Sequence, residues 1–312
     1  MSKNWLFIVA AVLLLSMRLF SGAENAPYGG TWELDYNAKQ KTLHMQLYRK
    51  GSNNGFNITF ESLRGLTLEM ILSDSRSVTF QLVREAGTFH CTGSFKNGEG
   101  RGQFDFQPDS TYPSRMAQLG YNGITGKQQY KLATLDVSTK FVRDLRDVGY
   151  SEKDLERVIE MRIHGATADY VRSLQSLGYK NIPSEKLVEM RIHGVSAGFI
   201  QKMKEAGYSD LPENKLVRFR IHGVSPERVA EFRKLGYERL SANKLIEFQI
   251  HDVTPEFIRD LRELGYNNVS ERDLVSMRIH NVSPSFIRRV HENRQTKPDV
   301  EDLISMKIHG SD

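Results

Sequence analysis

From Tyr28 to Phe106 apolar and polar residues alternate. Leu43, Met45 and Leu47 take one side while His44, Gln46 and Tyr48 take the other, and the pattern returns at Phe56, Ile58 and Phe60, at Leu66, Leu68 and Met70, and at Val78, Phe80 and Leu82. A two-residue period sends successive side chains to opposite faces of a strand, so each run predicts a half-buried strand. The turn sequences Gly51-Ser52-Asn53-Asn54-Gly55 and Asn97-Gly98 sit between runs and predict hairpins, hence an antiparallel sheet. About seven short strands in a small barrel or sandwich are expected over residues 28–110.

From Met116 onward the apolar spacing becomes helical and the chain repeats itself. Ile163-His164, Ile192-His193, Ile221-His222, Ile250-His251, Ile279-His280 and Ile308-His309 recur every 29 residues. A fixed period of this length marks stacked supersecondary units. The unit Val253 to Asn281 shows the pattern of one repeat: Thr254 as N-cap, Pro255 in the first turn, Phe257, Ile258, Leu261 and Leu264 as an apolar set, and Gly265 as the stop. After Asn267-Asn268-Val269, Ser270 caps a second helix whose apolar face is expected to be Leu274, Val275, Met277 and Ile279. Gly-Tyr closes the first helix at 120-121, 149-150, 178-179, 207-208, 236-237 and 265-266, starting one period before Ile-His, so residues 115–136 form a degenerate opening repeat. In the last unit Arg294-Gln295 replaces Gly-Tyr; both departures suit capping repeats. The expected fold is therefore α+β in two domains: a small antiparallel β barrel or sandwich at 28–110, then an all-α helical-hairpin solenoid of 29-residue repeats at 115–312.

The first 23 residues stand apart. Lys3 precedes the apolar run Trp5 to Met17, and Ser21-Gly22-Ala23 supplies small residues for a signal peptidase, predicting a signal peptide at 1–23 and export to the periplasm or beyond. The alternative, an uncleaved membrane anchor, has thirteen uncharged residues before Arg18, short of the roughly 20 that span a bilayer. The single cysteine, Cys91, allows no internal disulfide and aligns with Phe89 and Phe95 on the apolar face, which predicts a buried thiol. Formal charge is +5, of which the leader holds two, Lys3 and Arg18; no basic run marks a nucleic-acid partner.

Candidate chemistry lies in the repeated columns. The histidines resemble a metal ladder, but equivalent positions in stacked helices lie about 8–10 Å apart, too far to share one ion. A histidine at a helix end has a plainer role against the C-terminal dipole, with pH sensitivity as the alternative. The tyrosines after each glycine are expected to pack back on the helix they end. Two basic columns are the candidate binding residues: Arg162, Arg191, Arg220, Arg278 and Lys307, interrupted by Gln249, and Arg143, Arg172, Arg259 and Arg288 in the first helices. They could form a positive ridge for an acidic partner, pair with Glu160, Glu189 and Glu247 of neighbouring units, or cap carbonyls. No phosphate loop, nucleophile elbow or carboxylate dyad is present in the sequence, so no cofactor and no catalytic residue is expected.

The run Arg-Ile-His-Gly-Val-Ser-Pro-Glu at 220–227 followed by Leu-Gly-Tyr, behind a sheet containing Ala86-Gly87-Thr88-Phe89, Gly93-Ser94-Phe95 and Gly100-Arg101-Gly102-Gln103-Phe104-Asp105-Phe106, resembles a bacterial family. Its members carry this sheet-plus-repeat layout as the extracytoplasmic region appended to beta-lactam-sensor-type (antirepressor) membrane metallopeptidases, or as free-standing exported proteins. The resemblance does not carry catalysis, because the helical His-Glu-x-x-His of such enzymes has no counterpart: four positions after His291-Glu292 begins stands Gln295. Gly30-Thr31-Trp32 resembles the opening of lipocalin-like barrels, yet roughly eighty residues are few for eight strands around a lipid cavity. The expectation is a non-enzymatic exported binding or scaffold protein that engages a protein or cell-envelope component through its repeats, with a small-molecule sensor built on the β domain as the alternative. The membrane is expected as a partner only through an uncleaved leader.

Overall fold

The computed structural model describes residues 27–75 and 77–310; the expected signal peptide lies outside them. The chain forms two compact units that divide between Ile163 and His164. The change from strand to helix period falls earlier, so the first unit contains the sheet and also the first helix pairs.

In the first unit seven antiparallel strands form a curled half-barrel in the order β3-β2-β1-β7-β6-β5-β4. They are β1 (Gly30–Asn37), β2 (Thr42–Arg49), β3 (Ser52–Ile58), β4 (Leu63–Arg64), β5 (Val78–Arg84), β6 (Gly87–Lys96) and β7 (Glu99–Pro108). Their inward residues, among them Trp32, Leu34, Met45, Phe80, Phe89, Cys91 and Phe104, are buried. Trp32 is the centre of this core. Its indole N–H donates to the carbonyls of Thr92 at 3.1 Å and Gln103 at 3.0 Å, and its ring meets Phe80 edge-on at 5.0 Å. Glycine is required beneath it, since a Cβ on Gly102 would lie 1.9 Å from the Thr92 oxygen and one on Gly93 would lie 2.7 Å from the indole.

One expected strand is a helix. Leu66, Leu68 and Met70 alternate in sequence, but Thr67 accepts a hydrogen bond from the Met70 N–H and caps the short helix α1 (Leu68–Leu72), leaving β4 only two residues. The cap satisfies a backbone donor that a strand would have left to a partner, and local chemistry overrides the alternation.

Helices α2 (Tyr112–Gln118), α3 (Gly126–Thr134), α4 (Thr139–Asp147) and α5 (Leu155–His164) follow. α3 packs on β6 and β7: Tyr130 lies among Phe89, Phe104 and Phe106, and the buried Gln129 amide donates to the carbonyls of Ala86 at 3.1 Å and Asp109 at 2.7 Å. Glu85 accepts from the Thr139 backbone and hydroxyl, both at 2.7 Å.

The second unit is a series of short helices: α6 (Ala168–Gln175), α7 (Ser184–Ile192), α8 (Ala197–Glu205), α9 (Glu213–Ile221), α10 (Pro226–Lys234), α11 (Ala242–Ile250), α12 (Pro255–Glu263), α13 (Glu271–Ile279), α14 (Pro284–Asn293) and α15 (Val300–His309). Thr254 and Ser270 cap as expected, accepting from Phe257 and Asp273. The ends follow one rule. Gly194 is left-handed at φ +69° while its N–H bonds the Arg191 carbonyl and the Val195 N–H bonds that of Met190, a Schellman stop repeated at Gly223 and, with non-glycine residues, at Asp252 and Asn281. Like neighbours pack together, α7 on α9, α9 on α11, α11 on α13 and α13 on α15, as in a stack.

Candidate binding surfaces of the repeats

A Schellman stop leaves the carbonyl just before its left-handed residue without a helical donor, and here the next repeat supplies one. Arg191 Nε donates to His164 O, Arg220 Nε to His193 O and Arg278 Nε to His251 O, each at 3.3 Å; in the first unit Arg162 Nε reaches Leu135 O at 2.9 Å. Each guanidinium also lies over an aromatic ring of its own repeat: Arg191 on Tyr170 at 4.9 Å, Arg220 on Phe199 and Arg278 on Phe257 at 5.1 Å, and Arg162 on Phe141 at 5.3 Å. Lys307 sits 4.2 Å from the Phe286 ring. Where aspartate replaces glycine at the left-handed position, it takes a salt bridge from the same arginine: Asp136 with Arg162 at 2.9 Å, and Asp252 with Arg278. The four arginines of the first basic column therefore cap carbonyls across the repeat junctions.

Its expected pairing with glutamates takes a different form. Glu160, Glu189 and Glu247 pair three residues back on their own helices, with Arg157, Lys186 and Lys244. In the second column Arg172 and Arg259 do the same with Asp169 and Glu256, both at 2.6 Å, and Arg143 and Arg288 are exposed. Exposed pairs of this kind contribute about 0.3–0.5 kcal/mol each and leave the side chains accessible.

A further basic column escaped the sequence reading. Lys204 donates to Leu177 O at 2.7 Å, Arg233 to Ala206 O and Arg262 to Leu235 O at 2.5 Å, and Arg146 to Leu119 O in the first unit. The signal was present: each stands three residues before a Gly-Tyr. The tyrosines complete the junction from the other side, with Tyr179 donating to Leu211 O at 2.7 Å, Tyr208 to Leu240 O at 2.6 Å, Tyr237 to Val269 O at 2.7 Å and Tyr266 to Pro298 O at 2.9 Å. Burial raises the pKa of all four above the ordinary phenol value. In the terminal repeat Lys297 takes over the basic role on Gly265 O at 2.6 Å.

The isoleucine before each histidine departs from expectation. Ile279, read as part of the buried face, is 51% exposed, and Ile192, Ile221, Ile250 and Ile308 stand between 51% and 55%. Ile163 in the first unit is 54% exposed. Apart from Leu68 and Leu72 in α1, these are all the exposed large apolar side chains among the described residues. The position lies one turn beyond a buried residue (Val188, Val217, Ile246, Val275), at the margin of the helix face that packs inward. Burial explains the repeated leucines and methionines of α7 to α15; it leaves half of each isoleucine unexplained. With stacked helices about 8–10 Å apart, the five in the second unit make an apolar row roughly 32–40 Å long.

Among the described residues no group of three or more His, Cys, Asp or Glu is arranged to hold a metal ion, and no helix is long and apolar enough to cross a membrane. His193, His222, His251 and His280 occupy the C-cap positions of α7, α9, α11 and α13, and the carbonyls of His193 and His251 accept from Arg220 and Arg278. No protein-family model matches the chain, and comparison with curated proteins and with solved structures gives no match.

Proposed function

We propose that this chain is a non-enzymatic exported binding protein that docks a protein or cell-envelope component along the isoleucine row of its repeats. The observation that carries the proposal is the recurrence of one half-exposed aliphatic side chain at one position of every repeat, while the residue three positions before it, about one helical turn back, varies: Glu189, Arg218, Glu247, Ser276 and Ser305. A partner with a complementary apolar strip would cover all five together, and weak contacts repeated on a rigid spacing add up. The arginines beside the row support the surface by bracing the junctions and contribute little to the docking itself. The resemblance to extracytoplasmic regions of antirepressor-type proteins agrees with a role outside the cytoplasm.

The test is crosslinked capture of envelope proteins by the mature chain, compared with Ile192→Gln, Ile221→Gln and Ile250→Gln combined. Capture of a defined partner should fall at least tenfold in the triple variant while its helical signal and melting temperature hold. Undiminished capture would refute the row as the docking surface.

A further inference from the structure

The first unit contains a cavity of about 640 Å³, within the size range of ligand and peptide sites. Part of its lining is seven consecutive residues, Asn53 to Thr59, which is β3 without its first residue, Ser52, and the residue beyond the strand. Successive strand residues face opposite sides of a sheet, so a cavity that touches all seven runs along the edge of the strand. β3 is an edge: its strand partner is β2, and in antiparallel pairing alternate residues turn their N–H and C=O away from that partner. Proteins usually guard such an edge with charge, proline or brevity. The opposite edge, β4, is two residues long, whereas β3 has seven residues, Ser-Asn-Asn-Gly-Phe-Asn-Ile, with neither charge nor proline.

The charged part of the lining is Arg84, Asp136 and Arg162. Asp136 lies 2.9 Å from Arg162 and 3.6 Å from Arg84, so two guanidiniums share one carboxylate and a single positive charge remains uncompensated on the wall. Arg162 is already held by the Leu135 carbonyl and the Phe141 ring. Arg84 is not comparably held: its side chain is 12% exposed, and its buried Nε has no hydrogen-bond partner among the described residues. Burial pulls its pKa below the usual arginine value, Asp136 opposes this in part, and Arg162 adds to it. A buried guanidinium with an idle donor is costly unless an acceptor completes it.

We propose that an extended acidic peptide segment binds this cavity as an eighth strand, pairing its main chain with the free edge of β3 and setting a carboxylate against Arg84 and Arg162. Main-chain pairing would supply affinity and the carboxylate would supply selectivity, the division usual in strand addition. The lining also includes Ile163, the first-unit counterpart of the row's isoleucines, but the proposal does not use the five-isoleucine row of the second unit and stands or falls independently of it.

The experiment uses displayed random nonapeptides selected against the whole mature chain and against its Arg84→Gln variant. Selection on the unmodified chain should enrich Asp or Glu at one position, and selection on Arg84→Gln should lose that enrichment. A selected peptide made with Gln in place of its acid should bind at least tenfold more weakly to the unmodified chain. N-methylation of alternate backbone nitrogens should weaken binding at least tenfold in one of the two phases and little in the other; this arm needs no variant and is unaffected if Arg84→Gln unsettles the fold. Absence of binders, absence of acidic enrichment, or indifference to N-methylation in both phases would overturn the proposal. So would a dimer joined through β3, detected by disulfide trapping of Asn53→Cys, that the acidic peptide does not disperse.

Discussion

In the half-barrel the Trp32 indole reaches carbonyls 60 and 71 residues away, whereas in the second unit the arginine–carbonyl links of Arg191, Arg220 and Arg278 span 27 residues and the links of Tyr179, Tyr208 and Tyr237 span 32. The sheet assembles only when distant strands meet, so its core side chains have no substitutes. Each repeat needs only its neighbours, and the same few contacts recur at every junction. Damage to the sheet should therefore be total and damage to the repeats local. The contrast also bears on where binding chemistry resides: the repeats offer one motif many times, the sheet a single irregular site.

The sharpest way to break this contrast is Trp32→Ala. Removing a fully buried aromatic with two hydrogen bonds should cost about 3–5 kcal/mol. Cys91 reports the result directly. Burial raises its thiol pKa far above the ordinary value, so in the intact sheet it should resist alkylation. In Trp32→Ala, Cys91 should become reactive at denaturant concentrations where the helical circular dichroism signal keeps most of its native amplitude. Simultaneous loss of both signals would show that sheet and repeats unfold as one.

A smaller effect is expected from Gly236→Val. Gly236 is left-handed at φ +80°, with an added Cβ meeting nothing closer than Arg262 Nη2 at 3.9 Å, so the cost is conformational and not steric crowding. It should come to about 1–2 kcal/mol, somewhat more for a β-branched residue, in the melting of the repeats. An unchanged melting temperature would contradict the role of that stop.

The tyrosines sharpen the comparison with pH. Burial pushes Tyr170 up to about 12, and its hydroxyl donates to Val195 O at 2.7 Å. The folded state thus holds its phenol protons more tightly than the unfolded chain. Above the unfolded pKa of about 10 the unfolded chain loses protons first, so stability should fall as pH rises from about 10 to 12. Absorbance titration at 295 nm, run beside thermal melts, checks this; normal titration of every tyrosine with the repeats still folded would contradict it.

Much of the architecture is legible because its causes are local. Thr254, Pro255 and Gly265 announce a helix by capping, backbone restriction and a left-handed stop, each acting within a few residues. The strand expected through Leu68 fails for the same kind of reason, since one hydroxyl at Thr67 outweighs a short alternation. What lies at repeat junctions is harder to read. The carbonyl partner of Arg191 stands 27 residues back, and nothing in the helix containing Arg191 distinguishes a guanidinium braced on a neighbour from one facing solvent. The exposure of Ile279 is equally hidden, because on a helical wheel it borders the buried face and only the packed neighbours decide the margin. Arg84 gave no signal at all; its partner Asp136 lies in the turn after α3, 52 residues along the chain, and the fold brings the two together.

The central contrast within the repeats is between arginines that brace the junctions and isoleucines that face outward. Equilibrium urea unfolding of two double variants, Arg191→Gln with Arg220→Gln and Ile221→Gln with Ile250→Gln, compares them on one scale. The arginine pair should lose about 1–2 kcal/mol, from two charge-assisted carbonyl bonds and two cation–π contacts in partly exposed positions. The isoleucine pair should stay within about 0.5 kcal/mol of the unmodified chain. The opposite order, with the arginine pair silent and the isoleucine pair destabilised, would contradict the assignment of both columns.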